Sequence, residues 1–98
     1  MYTVMNRLQC PPAYSTHLEQ AFRHAGEMKD VPGFISFQFL RQDDAAADPA
    51  LVRYMAVTLW ESRQHFEAWT RSEAFSLAHG DAADSPVTTT LERYDVLV

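Results

Sequence analysis

Seven consecutive residues, Phe34-Ile35-Ser36-Phe37-Gln38-Phe39-Leu40, constrain this chain more than any other segment. The turn residues Asp30-Val31-Pro32-Gly33 open them as a β-strand. Alternation puts Ile35, Phe37 and Phe39 on one face, with Phe34 and Leu40 on the other. A strand apolar on both faces needs cover on both. One layer of helices covers only one face, so a second layer must come from elsewhere.

The flanking segments supply the rest of the sheet. Met1 to Leu8 reads as a strand with Val4, Asn6 and Leu8 on one face and Thr3, Met5 and Arg7 on the other, stopped by Pro11-Pro12. A helix follows from about Ala13 to Met28, with Tyr14, Leu18, Ala21, Phe22 and Ala25 as its apolar stripe and Glu19, Arg23 and Glu27 facing water. Gln42 to Ala50 is a polar connection of hairpin length. Leu51 to Glu61 forms a third strand, with Tyr54, Ala56, Thr58 and Trp60 opposite Met55, Val57 and Leu59.

A helical stretch then carries two start signals, Ser62 and Ser72, and a closing Gly80. Pro86 to Val98 is a last β-rich segment. The order strand-helix-strand-strand-helix-strand is the ferredoxin-like βαββαβ layout, an α+β fold with a four-stranded antiparallel sheet in one domain spanning 1–98. Both helices fall on one face of such a sheet. Phe37, Phe39, Met55 and Val57 lie in the strands that form its bare face, and a homodimer packing two sheets into an α/β barrel would cover it.

Bulk properties exclude several partners. Thirteen acidic residues against eight Lys and Arg give a net charge of −5, with no basic run to neutralise phosphates, so neither nucleic acid nor an anionic membrane is expected. No stretch reaches the roughly 20 apolar residues that cross a bilayer. The N-terminal Met1-Tyr2-Thr3-Val4-Met5-Asn6-Arg7 lacks a signal-peptide layout, and the single Cys10 fits a reducing, cytoplasmic setting.

Three residues carry the chemistry. Asn6 is disfavoured in a strand and, between Val4 and Leu8, faces the helices, where a buried amide needs a partner. Trp69 lies on an amphipathic helix with Phe66 as its companion, an arrangement equally suited to core packing. His79 follows ten residues later and suits either a helix-end dipole partner or a metal ligand. In one continuous helix, ten residues leave Trp69 and His79 roughly 80° apart, and a break near Ser72 lets both face one pocket. Cys10 is a further candidate thiolate ligand. His17, His24 and His65 form no zinc spacing, and no catalytic triad, phosphate loop or paired-carboxylate motif is present.

Asn6-Arg7-Leu8, Phe66-x-x-Trp69 and the Trp69 to Ala78-His79 run resemble the IsdG-type haem-degrading monooxygenases of the antibiotic biosynthesis monooxygenase superfamily, as does Val31-Pro32-Gly33-Phe34 in the element order. The resemblance implies that haem is substrate and cofactor at once, opened to a linear tetrapyrrole with release of iron by O2 and an external electron donor, a reductase or small-molecule reductant. It implies His79 as the proximal iron ligand, Asn6 as a distal hydrogen-bond donor and Trp69 as the residue that presses the porphyrin out of plane. Phe22 and Phe66 become pocket-wall aromatics, and Arg23 or His24 candidates for the propionates. Two other readings fit the same residues. One is a cofactor-independent monooxygenase of polycyclic phenols, and the other a haem carrier or sensor without turnover.

Overall fold

The computed structural model describes all residues except 24–27, 29, 44–49 and 72–85. Strand β1 (Tyr2–Cys10) leads through a single 3-10 turn (Pro12–Tyr14) into α1 (Ser15–Ala21), then β2 (Phe34–Arg41), β3 (Val52–Trp60), α2 (Arg63–Thr70) and β4 (Thr88–Asp95). The sheet order is β2-β3-β1-β4, and every neighbouring pair is antiparallel. This is the ferredoxin-like arrangement expected from the element order.

Pairing fixes which side chains meet the helices. Tyr2 lies opposite Trp60, Val4 opposite Thr58, Asn6 opposite Ala56 and Leu8 opposite Tyr54, so one face carries the buried residues Tyr2, Val4, Leu8, Cys10, Tyr54, Ala56 and Trp60. Strand β2 departs from simple alternation. A register shift between Phe34 and Ser36 leaves Ile35 unpaired and exposed, and a bulge of this kind resets the face of every later residue. Phe34, Phe37 and Phe39 therefore share the helix-facing side. The expectation that Phe37 and Phe39 help form the bare face is corrected: both pack against Phe22, at ring centroid distances of 6.3 and 4.4 Å. Met55 and Val57 stay on the bare face with Met5 and Leu59, in register with Arg7 and Thr3 of β1.

The helices are anchored differently. The first helix, expected from about Ala13 to Met28, is shorter: α1 covers Ser15–Ala21, with Leu18 buried and Phe22 as its C-cap. Phe22, Arg23 and Met28 are not helical, and 24–27 lie outside the described residues. In α2 the Ser62 cap is used, its hydroxyl accepting from the His65 amide at 3.3 Å, and Arg63 pairs with Glu67 one turn on at 2.8 Å. The helix stops at Thr70. The second start signal, Ser72, lies outside the described residues.

One glycine is required by geometry. Gly33 has φ +79°, and a Cβ there would fall 2.1 Å from Cγ of His65. That imidazole is itself held by the Ser62 hydroxyl, Oγ to Nδ1 2.7 Å. Gly33→Ala is expected to destabilise the fold by about 2 kcal/mol or more, combining left-handed strain with displacement of the His65 ring. Urea unfolding measures it, and an unchanged midpoint would refute the close packing of His65 on this turn.

Candidate functional site

The helix-facing side of the sheet holds two separate apolar clusters. Under α1, Leu8, Cys10, Leu18, Tyr54 and Ala56 pack with the aromatic rings of Tyr14, Phe22, Phe37 and Phe39. Under α2, Tyr2, Val4, Trp60 and Phe66 pack with Met28, Val31, Phe34 and Trp69. Along β1 the division falls between Val4, in the second cluster, and Leu8, in the first. Asn6 is the inward residue between them, in register with Ala56 of the first cluster.

Asn6 is half-buried, flanked by Ala56 of β3 and Leu91 of β4. Among the described residues its side-chain amide makes no hydrogen bond, and none of its atoms is fully enclosed without a partner. The half-buried amide is thus open to a hydrogen bond from water or a ligand, on the inward face of β1 between the two apolar clusters. A buried amide normally finds a mate within the fold. Here no side-chain mate is found among the described residues.

The two walls are built from the predicted aromatics. Phe22, at the end of α1, stacks on Phe39 with the rings 8° from parallel. Trp69, at the end of α2, leans on Trp60 at 5.5 Å and on Phe66 at 6.3 Å. Phe66 is only 4% exposed. It therefore acts as the core support behind Trp69, while Trp69 itself is half-buried. Arg23 is exposed beyond α1. His79 and His24 lie outside the described residues.

Cys10 is not a usable ligand in this arrangement. Its side chain is completely buried, and burial, with a smaller contribution from Glu19, raises its thiol pKa, so the thiolate needed for metal ligation is disfavoured. Among the described residues no group of three or more His, Cys, Asp or Glu could hold a metal ion. A haem iron needs only an axial ligand, and the candidate for that position is His79.

The sequence reading missed one polar contact. Glu19, expected to face water, accepts a 2.5 Å hydrogen bond from the Tyr54 hydroxyl, and Arg41 lies 3.6 Å from the same carboxylate oxygen. Burial, then the Glu19 carboxylate, pushes the Tyr54 phenol up to about 12. A helical wheel cannot see a phenol 35 residues away; the available signal was Tyr54 on the inward face of its strand, where its hydroxyl needs a partner. A hollow of about 600 Å³ is lined by Arg7, Leu40, Arg53, Met55 and Thr90 among others. Neither Asn6 nor Trp69 lines it, and it is a depression of the bare sheet face, on the side away from the helices.

A four-stranded antiparallel sheet with both helices packed on one face, over two aromatic-rich clusters, defines a small ferredoxin-like α+β domain. The chain belongs to the antibiotic biosynthesis monooxygenase family, whose model matches residues 1–81. It is similar to the mycobilin-producing haem oxygenase of Mycobacterium tuberculosis, at 35% identity over 87% of this chain and 76% of that protein. It is also similar to the staphylobilin-producing haem oxygenase of Staphylococcus saprophyticus, at 28% identity over 89% and 86% of the two chains. The structure of the haem-degrader MhuD from M. tuberculosis, with two haems bound in its active site, superposes with a TM-score of 0.77 at 29% identity, covering 100% of this chain and 97% of that one.

Proposed function

We propose that this protein is a haem-degrading monooxygenase, binding haem in the cleft between the two aromatic clusters and opening it to a linear tetrapyrrole with release of iron. The observation that carries the reading is the half-buried Asn6 amide at the seam of the core, without a hydrogen-bond partner among the described residues. Relatives that are haem oxygenases over most of the chain support it. Haem supplies the iron at which O2 and electrons from an external reductant are brought together, and it is itself the molecule consumed.

Each residue has a separate task in this reading. His79 would supply an imidazole nitrogen to the iron of bound haem. Asn6 donates a hydrogen bond on the other side of the ring, where negative charge develops during oxygenation and a fixed amide dipole counts for most. Trp69, backed by Phe66 and Trp60, would press on the bound porphyrin and so direct which meso carbon reacts. Phe22 closes the opposite wall and, with it, excludes water.

Haemin titration followed by ascorbate in air, with catalase removing free peroxide, tests the proposal. A saturable Soret shift that decays to a bilin spectrum is expected. A stable Soret band would make the protein a carrier, and no binding would direct the search to phenolic substrates. No helix among the described residues is long and apolar enough to cross a membrane, and we place the activity in the cytoplasm.

The bare sheet face supports a homodimer. Met5, Met55, Val57 and Leu59 form an apolar strip across β1 and β3 on the side away from the helices. Sedimentation of the wild type is expected to give a dimer, and Val57→Glu a monomer, since an unpaired charge at a buried interface is strongly disfavoured. A wild-type monomer would refute the assembly.

A further inference from the structure

Trp69 stands at the last turn of α2, next to the helix's final residue, Thr70. Helix ends fray, and the backbone there does not by itself hold a large side chain at one angle. The tilt of the Trp69 indole therefore depends on what it leans on, which among the described residues includes Trp60 and Phe66. Its neighbour Trp60 is completely buried and is clamped by two edge-on rings, Phe34 at 5.7 Å and 75° and Phe66 at 5.7 Å and 68°.

A polar contact fixes the remaining freedom of Trp60. Its Nε1–H donates to the Thr58 hydroxyl at 3.0 Å, and that hydroxyl donates onward to the Val4 carbonyl at 3.4 Å. Phe or Leu at position 60 would fill the space without this bond. Val4 precedes Asn6 by two residues on the same strand and faces the same side. The relay thus ties the indole supporting Trp69 to the strand that carries the cleft amide.

We propose that Trp60, oriented by Thr58, is a positioning residue that sets the tilt of Trp69 in the cleft and through it the distortion of bound haem. The role toward haem rests on the haem-degrading reading above; the orientation of Trp69 does not. Thr58→Val removes the acceptor while keeping nearly the same shape, and Trp60→Phe removes the bond and part of the support.

Trp60 and Trp69 are the only tryptophans in the chain, so two indoles 5.5 Å apart give an exciton couplet in the circular dichroism of the protein without haem. Thr58→Val is expected to invert or collapse this couplet. In the haem-loaded protein it is expected to shift the out-of-plane haem modes in resonance Raman and to change the ratio of ring-cleavage isomers, with haemin affinity little altered. Trp60→Phe is expected to give the same Raman and isomer shifts, which keeps the proposal open to test if Thr58→Val does not fold. An unchanged couplet in folded Thr58→Val would overturn the orienting bond. A changed couplet with unchanged Raman modes and isomer ratio would overturn the positioning role. Failure of the wild type to bind haemin would overturn the haem reading, and the couplet would still decide whether Thr58 and Trp60 set the indole angle.

Discussion

Valine in place of Asn6 is expected to make this protein more stable and its haem degradation about a hundredfold slower. The two halves of that result have different causes. Asn6 sits mid-strand, facing the helices between Val4 and Leu8, with Ala56 and Leu91 beside it. Asn is among the residues least suited to a strand, and a β-branched side chain at such a site gains on the order of 0.5–1 kcal/mol. Nothing among the described residues bonds to the amide, so no hydrogen bond within them is lost to offset that gain.

The rate follows the opposite logic. Removing one fixed donor from a site of developing negative charge typically costs about 10²- to 10³-fold in kcat. A residue kept for packing would show the reverse pattern, with lower stability and an unchanged rate. Thermal unfolding and single-turnover loss of the Soret band, measured on the same preparation, separate the two. A variant that is both more stable and fully active would remove Asn6 from the mechanism.

What the sequence made legible follows from how far each signal reaches along the chain. The inward face of β1, including Asn6, was readable because alternation over a few residues is local. So was the Ser62 cap, whose bond spans three residues. The bulge at Ile35 was not readable: alternation assumes an unbroken register, and one extra residue carried Phe37 and Phe39 to the other face. The Glu19–Tyr54 bond and the Trp60–Trp69 contact join different elements, and amphipathic patterns specify which face is apolar without saying which partner it meets. The division of the core at Asn6 is of the same kind. It emerges only when β1 has been laid under both helices, and it places an unfavourable strand residue between the two clusters.

The second large effect is expected at His79. Alanine there removes the only side chain assigned to the iron, and loss even of groups that merely support a metal ligand costs about 10- to 100-fold in affinity or activity. Turnover of His79→Ala is accordingly expected to fall by about a hundredfold or more. On the proposed reading haemin would still bind, its ring held by the aromatic side chains, yet its Soret band would differ in position from the wild type. Added imidazole provides the decisive comparison. A small neutral ring nitrogen can occupy the space left by the side chain, so it should restore the wild-type spectrum and part of the rate in His79→Ala while leaving Asn6→Val unimproved. Rescue in both variants would mean that imidazole acts on free haem in solution. A His79→Ala protein with the wild-type spectrum and rate would assign the iron to another ligand, and Cys10, completely buried and with its thiolate disfavoured, could not take its place.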